Sequence, residues 1–440
     1  MSLSSQYSSL LTTPEKAVSL VKDGDWVDYG TNNSQPFLLD AALAKRAGEL
    51  KDVKVRGNLL PGPIAVVEAD PERRSFTYST WHCGSYERRL CDSGRAFFSP
   101  MLFRDLSRYY RDFLTVDVAM ISVSPPDDAG YCSLGGATGA VAPILRAAKK
   151  IILEINEAIP FVSGGDDTKI HFSRADAIVE AGYRELWSLP NASPTETDER
   201  IASFLLPYIH DGCTVQLGIG GIPNALGKKI ASSGLRDLAM HTELCCDAYL
   251  DLFKAGVLTN SRKKVDPGLG VFGIAIGSRE LYNWIDGNSS LLARDLEYVN
   301  DVSVISSIDD MISINSCLRL DLYGQVSSES SGTRQISGTG GQLDFVTGAS
   351  DSKGGRSFLC LYSARADKNG TLHSNIVPRF TDGDIITTPR SQTEYVVTEQ
   401  GIACLSGKAS WERAEALISI AHPAFRDELI AAAKEQRIWR

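Results

Sequence analysis

A polar segment between two apolar patterns holds the side chains best suited to chemistry. It reads AMHTELCCDAYLDLFKAGVLTN over residues 239–260 and contains His241, Glu243 and the adjacent Cys245 and Cys246. Glu243 could cap or salt-bridge the following helix, because a helix N-terminus favours a carboxylate. A zinc site would need His241 and both cysteines to converge, and adjacent cysteines rarely ligate one ion well. Cys245 could also be a nucleophile with His241 as its base.

Two glycine-rich segments could present backbone N–H groups to an anion. QLGIGGIPNAL (216–226) follows an apolar strand pattern, with Pro223 at a predicted first helical position, and suits an oxyanion or a phosphate. It lacks the dinucleotide fingerprint, because proline stands where the third glycine is needed. RQISGTGGQLDFVTGAS (334–350) is the second segment. Each could be a plain turn, but together they could supply oxyanion holes on two sides of one attacking glutamate.

The apolar patterns predict an α/β fold that would position these groups. TVDVAMISVSP (115–125) and KIILEI (150–155) are strand-like and flank a helical pattern, which indicates a βαβ unit and a mostly parallel sheet covered on both faces. LAMHT is predicted as a strand that ends before Glu243, and DAYLDLFKAG as a helix that stops at Gly256. Two tail helices should break at His422-Pro423. The strand candidates of the second half are TVQLGI, DLAMHT, VSVISS, SFLCLY, DIITTP and EYVVTE.

A faint internal repeat indicates two domains built alike. TTPEKAVSLVKDGDWVDYGT and, later, TETDERIASFLLPYIHDGCTVQLGIG share a plan of capped helix, Asp-Gly turn, strand and glycine. We predict domains at residues 1–190 and 191–440, with the boundary in the polar segment LPNASPTETD, residues 189–198.

Composition excludes several classes of protein. The 440 residues carry 45 Lys plus Arg against 54 Asp plus Glu, a net charge of −9, which argues against broad binding to nucleic acid or an anionic membrane. No apolar run approaches the roughly 20 residues of a membrane span, and the N-terminus lacks signal-peptide features, so we expect a cytoplasmic protein. The nine cysteines include no C-x-x-C pair and should be reduced and mostly buried.

Six segments together resemble the acetyl-CoA hydrolase/transferase family, whose members include 4-hydroxybutyrate and butyryl-CoA:acetate CoA-transferases. The resemblance covers nearly the whole chain in order, and it implies two similar open, mostly parallel α/β domains with the active site in the cleft between them. The segments are VSPPDDAGYCSLGGATG, QLGIGGIPNAL, HTELCCDAYLDLFKAGVLTN, EYVNDVSVI, ISGTGGQLDF and VVTEQGIACLSGK with RAEALISIAHPAFR.

The resemblance implies a nucleophilic role for Glu243. Ile219 N–H would stabilise the glutamyl oxyanion, and Gly340 or Gly341 the acyl oxyanion. The residues implied to contact CoA are Gly218, Gly220, Gly221, Asn224, Asn300 and Gly338. A glutamate ionised at pH 7 would need no general base.

The implied reaction is ping-pong CoA transfer from a short-chain acyl-CoA (butyryl- or 4-hydroxybutyryl-CoA) to an acid such as acetate, through a glutamyl-CoA thioester. It needs no metal and no permanently bound cofactor, since CoA is a substrate. A homodimer or higher homo-oligomer is expected. Thr31, Asn32, Asn58 and Pro61 lie in loops that resemble the acyl side of the site, and are candidates for substrate selectivity.

Two alternatives remain within the family resemblance. The same scaffold could act as an acyl-CoA hydrolase that accepts water. It could also transfer CoA to a dicarboxylate such as succinate or itaconate, which would need a spare cation, and Arg56 is the one candidate near the acyl loops. A CoA-binding protein without activity is disfavoured, because Glu243 and both glycine segments are intact.

Overall fold

Two large sheets form the framework of the computed structural model, which describes residues 2–189 and 193–440. The strands of the first half are β1 (Trp26–Thr31), β2 (Val53–Asn58), β3 (Phe76–Thr80), β4 (Ala96–Phe98), β5 (Val118–Val123), β6 (Tyr131–Ser133), β7 (Lys150–Asn156), β8 (Lys169–His171) and β9 (Ala177–Gly182). Its α-helices are α1 (Leu3–Leu10), α2 (Pro14–Ala17), α3 (Phe37–Ala44), α4 (Ala65–Ala69), α5 (Ser85–Asp92), α6 (Leu106–Asp112) and α7 (Thr138–Ala147).

The second half contains more short strands. They are β10 (Thr214–Leu217), β11 (Ala239–Cys245), β12 (Gly270–Ala275), β13 (Leu291–Ala293), β14 (Met311–Ser316), β15 (Arg319–Asp321), β16 (Val326–Ser327), β17 (Ser330–Ser331), β18 (Arg334–Gln335), β19 (Arg356–Cys360), β20 (Ala364–Ala366), β21 (Leu372–Ser374), β22 (Ile376–Val377), β23 (Tyr395–Thr398) and β24 (Gly401–Cys404). The helices are α8 (Glu196–Leu205), α9 (Gly221–Ser232), α10 (Asp247–Lys254), α11 (Arg279–Ile285), α12 (Leu296–Val299), α13 (Val302–Ser306), α14 (Gln342–Asp351), α15 (Ser410–Ser419) and α16 (Arg426–Glu435).

The two large sheets share one strand order. The seven-stranded sheet runs β4-β3-β2-β1-β5-β7-β9, and the eight-stranded sheet runs β13-β12-β11-β10-β14-β19-β23-β24. In each sheet the first strand of that half of the chain, β1 or β10, lies in the interior. The next three strands of the sheet lie on one side of it, and the later strands lie on the other side. The pairings of β10 with β11 and β14 are parallel, and the last strand, β24, pairs antiparallel with β23. The prediction of two similar, mostly parallel α/β sheets is confirmed.

Apolar side chains cover the first sheet on both faces. Along β5, Val118 and Met120 belong to one core cluster, whereas Ala119 and Ile121 belong to another. Successive side chains of a strand point to opposite faces, so this alternation gives the sheet two apolar layers, as the βαβ pattern predicts. Within the part of the chain that the structure describes, no helix is long and apolar enough to cross a membrane.

Several local predictions are confirmed. Thr13 caps α2 with Pro14 at the first helical position, and the later copy of this plan places α8 before β10. The tail forms α15 and α16 on either side of His422-Pro423. All nine cysteines are free, and six of them are buried.

Two predicted strands of the second half are wrong. VSVISS is β-branched but forms α13, because the Asp301 carboxylate accepts hydrogen bonds from the N–H groups of Ser303 and Val304 and caps a helix. DIITTP is a loop, held by Asp384, whose carboxylate accepts from the N–H groups of Thr381 and Gly332 at 2.9 Å each. Local side-chain capping overrides strand propensity at both places.

The chain folds as two compact units that differ in one respect from the predicted domains 1–190 and 191–440. The first unit is Met1–Pro190 with Val271–Val299, and the second is Asn191–Gly270 with Asn300–Arg440. Asp295 shows why residues 271–299 join the first unit: its carboxylate accepts from Ser107 Oγ at 3.1 Å and pairs with Arg146. The predicted boundary segment includes residues 190–192, which lie outside the described residues.

Arg56 is not the spare cation that a dicarboxylate substrate would need. It is buried, its Nη1 lies 3.2 Å from Asp28 Oδ2, and its guanidinium lies 4.6 Å from the centre of the Trp26 ring. Tyr110 also donates to Asp28, at 2.8 Å. Arg56 therefore neutralises a buried carboxylate inside the first sheet's core.

This pairing makes a stability prediction. Arg56→Met should destabilise the first unit by about 3 kcal/mol or more, because it leaves Asp28 buried without its counter-charge. Lys45→Met, which removes an exposed pair with Glu15, is the matched control and should leave unfolding unchanged. Guanidinium unfolding checks this, and equal midpoints for both variants would contradict it.

Candidate active site

Glu243 lies within a strand rather than after one. The strand β11 continues to Cys245, so the predicted strand end before Glu243 is wrong, because the backbone stays extended up to Cys246. β11 pairs in parallel with β10, which places the carboxyl ends of both strands at the same edge. Ligands collect at such edges in open α/β sheets. Glu243 thus occupies the position where this fold places its chemistry.

Two hydrogen-bond donors hold the Glu243 carboxylate. Asn300 Nδ2 lies 2.8 Å from Glu243 Oε2, and the backbone N–H of Gly341 also donates to this carboxylate. The same Asn300 Nδ2 lies 3.2 Å from Asp344 Oδ2. A Cβ at Gly341 would overlap both Glu243 Oε2 and Asn300 Nδ2, so only glycine permits this close approach.

The second glycine segment forms the start of a helix. Gly341 immediately precedes α14, and Gly338 and Gly340 are buried beside it. The first residues of a helix leave their N–H groups unpaired and carry partial positive charge. This segment therefore presents the Gly341 N–H to Glu243. The implied role of Gly340 or Gly341 as donor to the acyl oxyanion stays a prediction.

The first glycine segment lies between β10 and α9. Gly218 O accepts a hydrogen bond from Cys246 Sγ at 3.5 Å, which ties this loop to the end of β11. Ile219 and Gly220 are exposed, with 44% of the surface of Ile219 accessible. The helix α9 begins at Gly221, so Pro223 is its third residue rather than its first. Asn224 follows it in the first turn.

The metal and thiol interpretations find little support. His241, Cys245 and Cys246 are buried, and no group of three or more His, Cys, Asp or Glu residues among residues 2–189 and 193–440 could hold a metal ion. Burial raises the pKa of the Cys246 thiol to about 12 and also raises that of Cys245, so the thiolates are disfavoured. In the structure, Cys246 donates to Gly218 O and the His241 ring lies 6.2 Å from that of Phe345.

The electrostatics of Glu243 differ from the expectation that it is ionised at pH 7. Part of the residue's surface is accessible, but protein atoms enclose the carboxyl group. Burial raises the pKa of Glu243 to about 8, the nearby Asp344 adds to the rise, and the donors Asn300 and Gly341 oppose it. Without substrate, the carboxyl group is therefore largely protonated at neutral pH.

The sequence did not reveal the contact between Asn300 and Glu243 or any role for Asp344. The family resemblance implies that Asn300 contacts CoA, which stays a prediction; in the structure its amide nitrogen lies on the glutamate. The one available signal was the position of Asp344, three residues after Gly341 in the first turn of α14.

The candidates for substrate selectivity lie in the first unit, at the carboxyl ends of β1 and β2. Asn58 Nδ2 donates to Thr31 Oγ1 at 3.0 Å, and both residues are buried with Asn32. Asn32 Nδ2 and Asn58 Oδ1 are buried without a hydrogen-bond partner among the described residues. Pro61 is partly exposed in the loop after β2. Buried polar atoms are nearly always hydrogen-bonded, so these two atoms are open to a further partner.

Two family models match the chain. The acetyl-CoA hydrolase/transferase N-terminal domain matches residues 1–183, and the C-terminal domain of the same family matches residues 277–433. The chain belongs to the acetyl-CoA hydrolase/transferase family. This is an enzyme family of CoA-transferases.

Relatives within the acetyl-CoA hydrolase/transferase family span the whole chain. The butyryl-CoA:acetate CoA-transferase of Anaerostipes caccae is 42% identical, over 100% of this chain and 99% of the relative. The 4-hydroxybutyrate coenzyme A transferase of Clostridium kluyveri is 37% identical, over 98% of each chain. The crystal structure of RipA from Yersinia pestis superposes with a TM-score of 0.91 at 35% identity, covering 100% of both chains.

The crowding at Gly341 predicts the effect of one added methyl group. Gly341→Ala should lower CoA-transfer activity about 100-fold or more, because the Cβ displaces Glu243 and Asn300 from the backbone donor. Gly165→Ala, where a Cβ meets open space, is the control and should leave the rate unchanged. A Gly341→Ala enzyme as active as the control would contradict this geometry.

The raised pKa of Glu243 predicts how kcat/KM depends on pH. The nucleophile must be ionised, so kcat/KM for the acyl-CoA should rise about tenfold per pH unit and level off above about pH 8. Initial rates across pH, with stability checked at each value, measure this. A profile that is flat from about pH 5.5 upward would show that Glu243 titrates normally.

Proposed function

We propose that this enzyme transfers CoA from a short-chain acyl-CoA, such as butyryl- or 4-hydroxybutyryl-CoA, to a carboxylic acid such as acetate. The reaction is ping-pong and passes through a glutamyl-CoA thioester on Glu243. The observation that carries the proposal is the Glu243 carboxylate held by Asn300 Nδ2 at 2.8 Å and by Gly341 N–H at the start of α14. Relatives named for these acyl groups support it.

The chemistry follows from the carboxylate. Glu243 attacks the thioester carbonyl, a mixed anhydride forms, and CoA leaves as a thiolate. The thiolate then attacks the glutamyl carbonyl, which gives the enzyme thioester and releases the first acid. An incoming carboxylate reverses both steps and departs as the new acyl-CoA. The attack steps need no general base, because each nucleophile is an anion when it attacks.

Each attack creates a tetrahedral oxyanion that needs amide donors. We assign the acyl oxyanion to the N–H of Gly340 or Gly341, which precede α14, and the glutamyl oxyanion to Ile219 N–H in the loop that Cys246 ties to β11. A single donor in such a hole typically contributes about 100-fold or more to the rate. CoA contacts at Gly218, Gly220, Gly221, Asn224, Asn300 and Gly338 stay predictions.

Substrate selectivity is assigned to the first unit. Thr31, Asn32 and Asn58 offer neutral polar atoms, including an unpaired donor and an unpaired acceptor, while Arg56 is committed to Asp28. This set favours a small neutral or hydroxylated acyl chain over a second carboxylate. Homodimeric or larger assembly and a cytoplasmic location also stay predictions.

The decisive test is a covalent adduct. After incubation with butyryl-CoA and no acceptor acid, intact-protein mass spectrometry should show a mass increase equal to CoA minus water. Acetate should remove it, since the incoming carboxylate reverses the steps. Glu243→Ala should show neither adduct nor activity, whereas Glu428→Gln, an exposed glutamate of α16, should behave like the wild type.

Two outcomes would contradict the proposal. A fully active Glu243→Ala enzyme would remove the glutamyl thioester from the mechanism. Steady-state release of butyrate at the same rate with and without acetate would identify a hydrolase instead.

A further inference from the structure

A second carboxylate lies behind the nucleophile and has no assigned role. Asp344 is fully buried in the first turn of α14, three residues after Gly341. An aspartate that only favours the helix dipole usually faces solvent. This one instead lies 3.2 Å from Asn300 Nδ2, the atom that also donates to Glu243.

Asn300 bridges the two carboxyl groups. A side-chain amide nitrogen carries two hydrogens, and here one is directed to Glu243 at 2.8 Å and the other to Asp344. Glu243 Oε2 and Asp344 Oδ2 both accept here, so the amide nitrogen lies between the two carboxyl groups. Asn300 Oδ1 is left buried, without a hydrogen-bond partner among the described residues. The amide can turn away from Glu243 only by losing Asp344 as well.

The surrounding elements hold this bridge in place. Asn300 precedes α13, which Asp301 caps, and Asp344 lies on α14. The two helices are in close contact, since a Cβ at Gly348 of α14 would overlap Ile305 of α13. Asp344 therefore approaches Asn300 from a rigid frame rather than from a loop.

Among the described residues, three groups act on the charge of Glu243. Asp344 is the carboxylate whose charge acts on it, and Asn300 and Gly341 supply neutral donors. His241, on the same strand, is buried with its ring 6.2 Å from that of Phe345. Cys245 and Cys246 follow on the strand, and burial keeps their thiols neutral. Two carboxyl groups that share one amide resist being ionised together.

We infer that Asp344 is a positioning residue for Glu243: it anchors the Asn300 amide on the nucleophile and places a second carboxyl group beside it. This rests on the proposed function, since it concerns the same glutamate. Asp344 itself touches no reacting atom.

The test compares Asp344→Asn with Asp351→Asn, an exposed aspartate at the end of the same helix. The asparagine can still accept from Asn300 but has no charge. The acid limb of kcat/KM for butyryl-CoA should therefore move to lower pH by about one unit, with about tenfold higher activity than wild type on that limb. Asp351→Asn should keep the wild-type limb. A residue that is merely structural would lower the rate equally at every pH.

A second variant keeps the inference testable if Asp344→Asn folds poorly. Asn300→Ala removes the bridge, so the limb should move to higher pH, because Glu243 loses a donor to its charged form. In the Asn300→Ala background, Asp344→Ala should add little further loss of kcat, since its anchoring role is already gone. Full additivity of the two losses would overturn the anchoring role.

The outcomes separate the two claims. An unshifted limb in Asp344→Asn, with a normal CoA adduct on Glu243, overturns this inference and leaves the proposed function standing. An equal shift in Asp351→Asn also overturns it. A wild-type enzyme that is active but never forms the adduct overturns the proposed function, and this inference with it.

Discussion

The site depends on one costly arrangement, a glutamate carboxyl group enclosed by protein and held by two donors. Burial favours the protonated form and raises the pKa of Glu243 to about 8, while Asn300 and Gly341 stabilise the charged form. The balance leaves a carboxylate that is poorly solvated when it forms, which makes it a better nucleophile than a glutamate in water. The position of Glu243 on β11, the neighbouring Gly341 and the N-terminus of α14 all act on this carboxyl group.

The fold explains why the donors converge. β10, β11 and β14 are neighbours in one parallel sheet, so the segments that leave their carboxyl ends meet at one edge. The segment after β10 begins α9, the segment after β11 begins α10, and the segment after β14 passes through β15–β18 before it begins α14. A helix N-terminus supplies oriented amides without any side chain. The missing Cβ of Gly341 permits contact between backbone and carboxylate. Backbone donors are rigid, which is what an oxyanion hole requires.

Much of the fold and the two glycine-rich loops could be predicted, because both depend on local sequence patterns. Strand periodicity, the Asp-Gly turns and the Thr13 cap predicted the α/β repeat, and the glycine segments at strand ends predicted amide-rich loops. The capping role of Asp301 was missed because β-branched residues follow it, and a cap outweighs their propensity. Long-range contacts were out of reach: Asn300 is 57 residues from Glu243, and nothing local distinguishes a partner of Glu243 from a ligand of CoA. The prediction of Arg56 as a spare cation was wrong for the same reason, since only the structure shows that Asp28 pairs with it.

Oxygen-isotope transfer tests the central claim most directly. If a carboxylic acid labelled with ¹⁸O in both oxygens accepts CoA through Glu243, one labelled oxygen bridges the mixed anhydride and stays on the enzyme when the acyl group leaves as acyl-CoA. Fragmentation of the tryptic peptide 237–254 should then locate ¹⁸O in the Glu243 side chain after a single turnover. An enzyme that turns over labelled acid while Glu243 stays unlabelled would contradict the account.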